Sequence, residues 1–309
     1  GGGARPMTLL GVIPVWKPAG MTSHDVVVEL RRLTGQRKVG HTGTLDPAVE
    51  GVLPICLGQA TRIAEYLQEL PKRYAGSMVL GASTDTQDQT GRILREEPVG
   101  PLDPSRIDEA FRRFRGEIDQ VPPMVSAVRV EGRRLYEWAR EGKEVPRRAR
   151  RVKIYELVRT GMEREGNRLR IDFEVLCSKG TYVRTLCVDI GAWLGYPAHM
   201  SRLVRVQSGP FFLQDTLTLE ELREVARRGA WGDVLVSPDA ALGHFPLLVV
   251  PSSARKGVLN GMWLQLEDPL DSRAVGRLVR VYTEEGEFCA LYRMSAPDVA
   301  RPEKVFRNG

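Results

Sequence analysis

Between residues 169 and 177 the chain alternates, with Leu169, Ile171, Phe173, Val175 and Cys177 set against mostly polar neighbours, and it then passes through Ser178-Lys179-Gly180-Thr181. Period-two alternation predicts a half-buried strand. The apolar-rich stretch 182–194 that follows, closed by Gly195, predicts a helix ended by a left-handed residue. Strand and helix mix along the rest of the chain without the regular rhythm of a parallel βαβ array, which makes the fold class α+β.

The same reading extends in both directions. Residues 9–16 predict a strand that stops at Pro18 and Gly20. Thr22 followed by Asp25 forms a capping-box pattern before Val26, Val27, Leu30 and Leu33, with Gly35 closing that helix. Next come an expected strand over 52–57, a helix over 61–70, a strand over 73–80 and a loop over 81–91, then an amphipathic helix over 106–114 carrying Ile107, Ala110, Phe111 and Phe114. After Phe245-Pro246 the composition shifts to short apolar runs at 247–250, 263–266, 274–282 and 288–293. Their spacing predicts a compact β-rich module of about 60 residues, a size at which small barrels occur.

Charge is concentrated in one place. Residues 129–153 hold ten basic and four acidic side chains, a surplus that equals the net charge of +6 of the whole 309-residue chain. A polyanionic partner is the natural complement of such a segment, although a solvated, salt-bridged face is the plainer fate of mixed charge. Cys56, Cys177, Cys187 and Cys289 lie far apart in apolar contexts and read as reduced core residues. His24, His41, His199 and His244 pair neither with one another nor with cysteine at metal-ligand spacing, so no metal is expected. No stretch approaches the roughly 20 apolar residues of a membrane span. Residues 1–6 lack the apolar core of a signal peptide and read as a disordered extension or engineered scar before Met7.

The chemistry-bearing feature is Gly40-His41-Thr42-Gly43-Thr44-Leu45-Asp46-Pro47, with Gly51 just beyond. Glycines on both sides of a single carboxylate make a tight loop whose backbone can approach a ligand closely. Pro47 keeps Asp46 out of the helical region, which favours a carboxylate that faces outward. Taken alone, the loop also admits Asp46 as a cap and the glycines as turn residues.

VGHTGTLDP and GVLPICLGQATR, within residues 39–62, resemble the signature of the TruB family of bacterial tRNA pseudouridine synthases, which has dyskerin among its relatives. Other blocks resemble the family in the same order: Trp16-Lys17-Pro18-Ala19-Gly20-Met21-Thr22-Ser23, Lys72-Arg73-Tyr74 and Cys177-Ser178-Lys179-Gly180-Thr181-Tyr182-Val183-Arg184-Thr185. Val121-Pro122-Pro123-Met124-Val125-Ser126-Ala127 resembles a further block, with Val125 where an aromatic is usual. The likeness runs from about Leu9 to Gly209.

This resemblance implies a pseudouridine synthase fold with a mixed, largely antiparallel sheet over residues 7–245, a basic thumb at 124–153, and a PUA-like barrel at 246–309 that binds RNA. It implies catalytic roles for Asp46 as nucleophile, Arg184 as its ion-pair partner and Tyr74 as the aromatic on the target base. His41 would fill the space left by a flipped uridine, and Leu203 and Tyr182 would line its pocket. Lys17, Asp85 and Lys179 are further candidates for contact with RNA or pocket, and Arg129, Arg147, Arg148, Arg150 and Arg151 for phosphates of the RNA backbone. The implied substrate is the T-loop uridine at position 55 of tRNA, held through the T-arm. The chain is expected to act in the cytoplasm as a monomer, without cofactor, metal or membrane.

Rival readings are a tRNA-binding or folding module with a vestigial pocket and a guide-dependent subunit of dyskerin type. A glycoside hydrolase using Asp46 with Glu50 is a poorer fit, because that chemistry needs two carboxylates across a cleft roughly 5–10 Å wide, and these two share one loop.

Overall fold

The structure is a computed structural model that describes residues 8–124, 126 and 129–307; the expected extension at 1–6 and Val125 lie outside them. One large sheet runs in the order Gly11–Lys17, Glu50–Leu57, Ala198–Ser208, Lys72–Leu80, Arg168–Cys177, Arg150–Glu165 and Gly116–Gln120. Neighbours pair antiparallel except Ala198–Ser208 against Glu50–Leu57, where the contact is parallel. That one parallel contact makes the sheet mixed, and it sits beside the loop that carries Asp46.

Two cores cover one face of this sheet. Helices Pro104–Arg113 and Val183–Leu194 bury Ile107, Phe111, Leu186 and Ile190 against Ile171, Phe173 and Val175 at one end. At the other end Ser23–Thr34 and Leu219–Arg228 bury Val26, Leu30 and Leu222 against Ile13, Leu53 and Ile55. Burial of each such side chain contributes about 1.5–3 kcal/mol. Tyr74 and Leu203 are only partly buried and touch both clusters, so they stand at the seam where the two cores part.

Local sequence rules account for the helix ends. The Thr22 hydroxyl accepts from the Asp25 amide and the Asp25 carboxylate accepts from the Thr22 amide, both at 2.9 Å, completing the capping box. Gly35 and Gly195 close their helices at φ of 70° and 91°, conformations that a residue with a Cβ rarely adopts.

Several boundaries differ from the sequence reading. The expected helix at 61–70 is a 3-10 turn, Gly58–Ile63, followed by a short α-helix, Ala64–Gln68. The 81–91 loop begins as a strand, Ala82–Thr84, paired with Ile93–Glu96. The basic segment does not remain a separate insertion throughout, because Arg150, Arg151 and Lys153 open the strand Arg150–Glu165 and pair with Gly116–Gln120.

The C-terminal residues form a second sheet of five strands, ordered Leu247–Val250, Leu278–Thr283, Phe288–Ala296, Val299–Val305 and Leu264–Gln265. The expected run at 274–282 starts as a strand only at Leu278, after a 3-10 turn, Ser272–Ala274. Leu278, Leu291 and Phe306 share an apolar cluster with Val12, Val52 and Cys56, on the back of the large sheet. Polar ties reinforce this seam, with Arg62 donating to the Val305 carbonyl at 2.6 Å and Lys304 to the Arg62 carbonyl at 2.8 Å.

Candidate active site

The loop after the short strand Val39–His41 is fixed from several directions. Ser23 accepts from the Leu45 amide at 2.9 Å and donates to the Leu45 carbonyl at 3.3 Å. The Val49 amide closes a turn on the Asp46 carbonyl at 2.9 Å, and the Gly20 amide holds the Pro47 carbonyl at 2.8 Å. Gly51 has to be glycine, because a Cβ there would lie 2.2 Å from the Arg205 carbonyl oxygen and its φ is +124°. The result is a rigid backbone with the Asp46 side chain left 56 % exposed.

Arg184, in the first turn of Val183–Leu194, meets that carboxylate with its Nη2 at 3.5 Å from Asp46 Oδ2, and its own side chain is only 7 % exposed. Its Nη1 donates to the Thr86 carbonyl at 3.2 Å. The turn that presents this carbonyl is braced in its own right: Gln87, at φ +67°, accepts from the Thr185 hydroxyl at 3.0 Å and its carbonyl accepts from the Met200 amide at 2.9 Å. A cation anchored on the protein side and facing an exposed carboxylate aims that carboxylate into the space in front of it.

Asp46 and Arg184 open into a cavity of about 350 Å³ that Tyr74, Tyr182, Leu203 and Arg205 also line. Burial pushes the Tyr74 phenol above its ordinary value, with Arg205 opposing that shift. Its proton therefore stays in place at neutral pH. The cavity has the size of one nucleobase with its sugar, an aromatic wall, an apolar wall and one carboxylate. Such a room suits a base taken out of its stack.

Residues 31–183 match the family described as TruB family pseudouridylate synthase (N terminal domain), and residues 184–238 match the tRNA pseudouridylate synthase B C-terminal domain. The chain belongs to the TruB family. Among TruB family relatives, the tRNA pseudouridine synthase B of Geobacillus thermodenitrificans is 49 % identical over 303 residues, spanning 96 % of this chain and 99 % of that protein. That of Bacillus licheniformis is 47 % identical over 299 residues, with 96 % and 97 % covered. Among solved structures, a Cbf5-Nop10-Gar1 complex matches at 29 % identity and a TM-score of 0.73, covering 96 % of this chain and 85 % of that one. An H/ACA RNP bound to a substrate RNA containing 2'-deoxyuridine matches at 28 % identity and 0.72, covering 97 % and 86 %.

Against this TruB family frame, some expected site residues fall elsewhere. Lys17 is fully buried, and its ammonium donates to the carbonyls of Met21 at 2.6 Å, Pro18 at 2.8 Å and Pro47 at 3.2 Å. It is a support beneath the Asp46 loop rather than an RNA contact, and burial lowers its pKa to about 8. Asp85 is taken up within its own hairpin, accepting from the Arg92 amide at 2.7 Å. Asp88, three residues on, lines a smaller recess shared with Asp46. His41 is partly buried, and its Nδ1 accepts from the Gly43 amide at 3.2 Å. Burial, then Arg205, lowers the His41 pKa, so the ring is a neutral shaper of the loop. Lys179 lies on the cavity rim, paired with Glu69.

The five thumb arginines divide. Arg147 is pinned to the Pro122 carbonyl at 2.7 Å, and Arg151 lies between Glu117 at 3.2 Å and Asp119 at 3.3 Å. Both are engaged within the protein, Arg147 largely covered and Arg151 with its side chain still 65 % exposed. Arg129 is exposed and donates to the Gly132 carbonyl at 3.2 Å. Arg148 and Arg150 are exposed and carry no ion pair among the described residues. Trp138 and Tyr136 hold cations on their faces, Arg133 at 4.3 Å and Arg140 at 5.0 Å.

Two charged pocket residues escaped the sequence reading. Lys72, nearly buried, has its pKa lowered to about 8 by burial first and by Arg205 next. Arg205 itself shares a strand face with Leu203, and only that two-residue spacing within a strand could have pointed to it.

Proposed function

We propose that the chain isomerises the T-loop uridine at position 55 of tRNA to pseudouridine, with Asp46 as nucleophile. The observation that carries this reading is the Asp46–Arg184 pair at the mouth of a nucleobase-sized cavity walled by Tyr74 and Leu203. Uridine enters flipped from its loop, because its reacting atoms cannot be reached while stacked. The N1–C1′ bond breaks, the uracil turns, and C5 bonds to C1′. The proton on C5 is then lost and N1 gains one, so atoms and charge balance with no change of redox state. Asp46 holds one fragment covalently between the two bond changes. Arg184 keeps its carboxylate directed, and Tyr74 stacks on the base beside the carbon that loses its proton.

Residues 7–245 carry this chemistry in the proposal, residues 246–309 add an RNA-binding module, and Arg148 and Arg150 reach backbone phosphates of the T-arm. The relatives named as tRNA pseudouridine synthases support the substrate, and the exposed unpaired arginines support the contact. The test is release of tritium from tRNA labelled at uridine C5 by the purified chain alone. Release of one equivalent from position 55 is expected. Release only when a guide RNA and partner proteins are added would favour a guide-dependent subunit.

A further inference from the structure

Arg205 is only 1 % exposed, the largest fully buried side chain among the described residues, and a guanidinium so enclosed needs partners for its charge and its donors. Those partners are informative. Nε donates to the Val52 carbonyl at 2.8 Å and Nη2 to the Gly43 carbonyl at 3.1 Å. Gly43 and Val52 are the two ends of the segment on which Asp46 sits, one where the chain leaves the sheet and one where it has rejoined it. The backbone of Arg205 closes the same gap, since it lies opposite Gly51 in the parallel contact with Glu50–Leu57. On its other side Arg205 is the direct antiparallel neighbour of Tyr74. It also lines the cavity.

Two groups that must act on one base therefore come from different elements, Asp46 from a loop and Tyr74 from a strand, and Arg205 touches the frame of both. We infer that Arg205 is a positioning residue for the isomerisation, a fork that locks the two ends of the Asp46 loop at a fixed offset from Tyr74. The inference rests on the function proposed above. A planar guanidinium can hold two carbonyls in one plane, whereas an ammonium holds them from a single point. A displacement of about 1 Å at a reacting group can cost about 100-fold in rate, so a loosened fork reads out in turnover without any loss of RNA contacts.

The experiment compares wild type with Arg205→Lys, which keeps stem and charge, and with Arg205→Gln, a neutral side chain that still donates to one carbonyl and guards against a misfolded first variant. Hydrogen exchange of the free protein is followed at the amides of 42–51, together with single-turnover tritium release at saturating enzyme and tRNA affinity by filter binding. In both variants the loop amides are expected to exchange about tenfold faster while the sheet beyond them is unchanged. Turnover should fall roughly 100-fold with affinity within about threefold. Loop exchange like wild type, or turnover within threefold of it, overturns the inference. If the wild-type chain itself releases no tritium, the functional proposal fails, while the exchange result still decides whether Arg205 clamps the loop.

Discussion

Replacing Arg184 with methionine separates what this residue does for the fold from what it does for the reaction. Two unit charges 3.5 Å apart attract by about 5 kcal/mol at an effective dielectric of about 20 and by about 1 kcal/mol in water. Asp46 is more than half exposed, so water screens the pair and the lower figure applies to stability. Methionine fills much of the slot that the guanidinium leaves, and the Thr86 carbonyl loses a donor worth about 1 kcal/mol. The expected loss of stability is thus about 1–2 kcal/mol. The expected loss of rate is larger, because Asp46 then points freely among solvent directions; about 100- to 1000-fold is expected, or about 3–4 kcal/mol of barrier. Urea denaturation and single-turnover tritium release measure the two numbers on one preparation. A rate within threefold of wild type would refute the alignment argument, and a stability loss above about 4 kcal/mol would make Arg184 a structural keystone instead.

Other consequences are equally direct. Arg148→Gln with Arg150→Gln should weaken tRNA binding and flatten the slope of log affinity against log salt by about 2, whereas Arg147→Gln with Arg151→Gln should leave that slope alone; equal effects would contradict the division drawn here. The Thr42 hydroxyl is buried without a hydrogen-bond partner among the described residues, so Thr42→Val should raise stability by on the order of 1 kcal/mol, and a fall in melting temperature would show that it has one. Burial holds the Lys72 ammonium at about 8, below its value in an unfolded chain. Between pH 8 and about 10 the unfolded chain then binds more protons and stability rises with pH, a rise that Lys72→Met should flatten in urea titrations; an unchanged slope would mean that water reaches the ammonium.

Features set by near neighbours were legible in the sequence. The Thr22–Asp25 capping box, the glycines that end Ser23–Thr34 and Val183–Leu194, and the strand-turn-helix that delivers Arg184 all depend on residues within a few positions of one another. The Asp46 loop stood out because glycines and a proline crowd one carboxylate. What stayed hidden depends on distant partners. Arg205 binds carbonyls 153 and 162 residues away, and no local pattern announces them. Lys17 reads as a candidate for contact with RNA or pocket until the fold wraps three carbonyls around its ammonium. The strand Ala198–Ser208 hides its alternation behind register shifts at Met200/Arg202 and Arg205/Gln207, each of which turns the next side chain to the other face.

The central claim is that the Asp46 carboxylate is the nucleophile, and Asp46→Asn tests it most directly. The amide keeps the shape and the loop turn, which uses the backbone carbonyl of residue 46 rather than its side chain. Purified Asp46→Asn is incubated in excess with tRNA tritiated at uridine C5, and tritium release is followed beside tRNA affinity. No release above background is expected, with affinity within a few-fold of wild type. Release at even a hundredth of the wild-type rate, from protein shown free of deamidated Asp46, would remove this carboxylate from the bond chemistry.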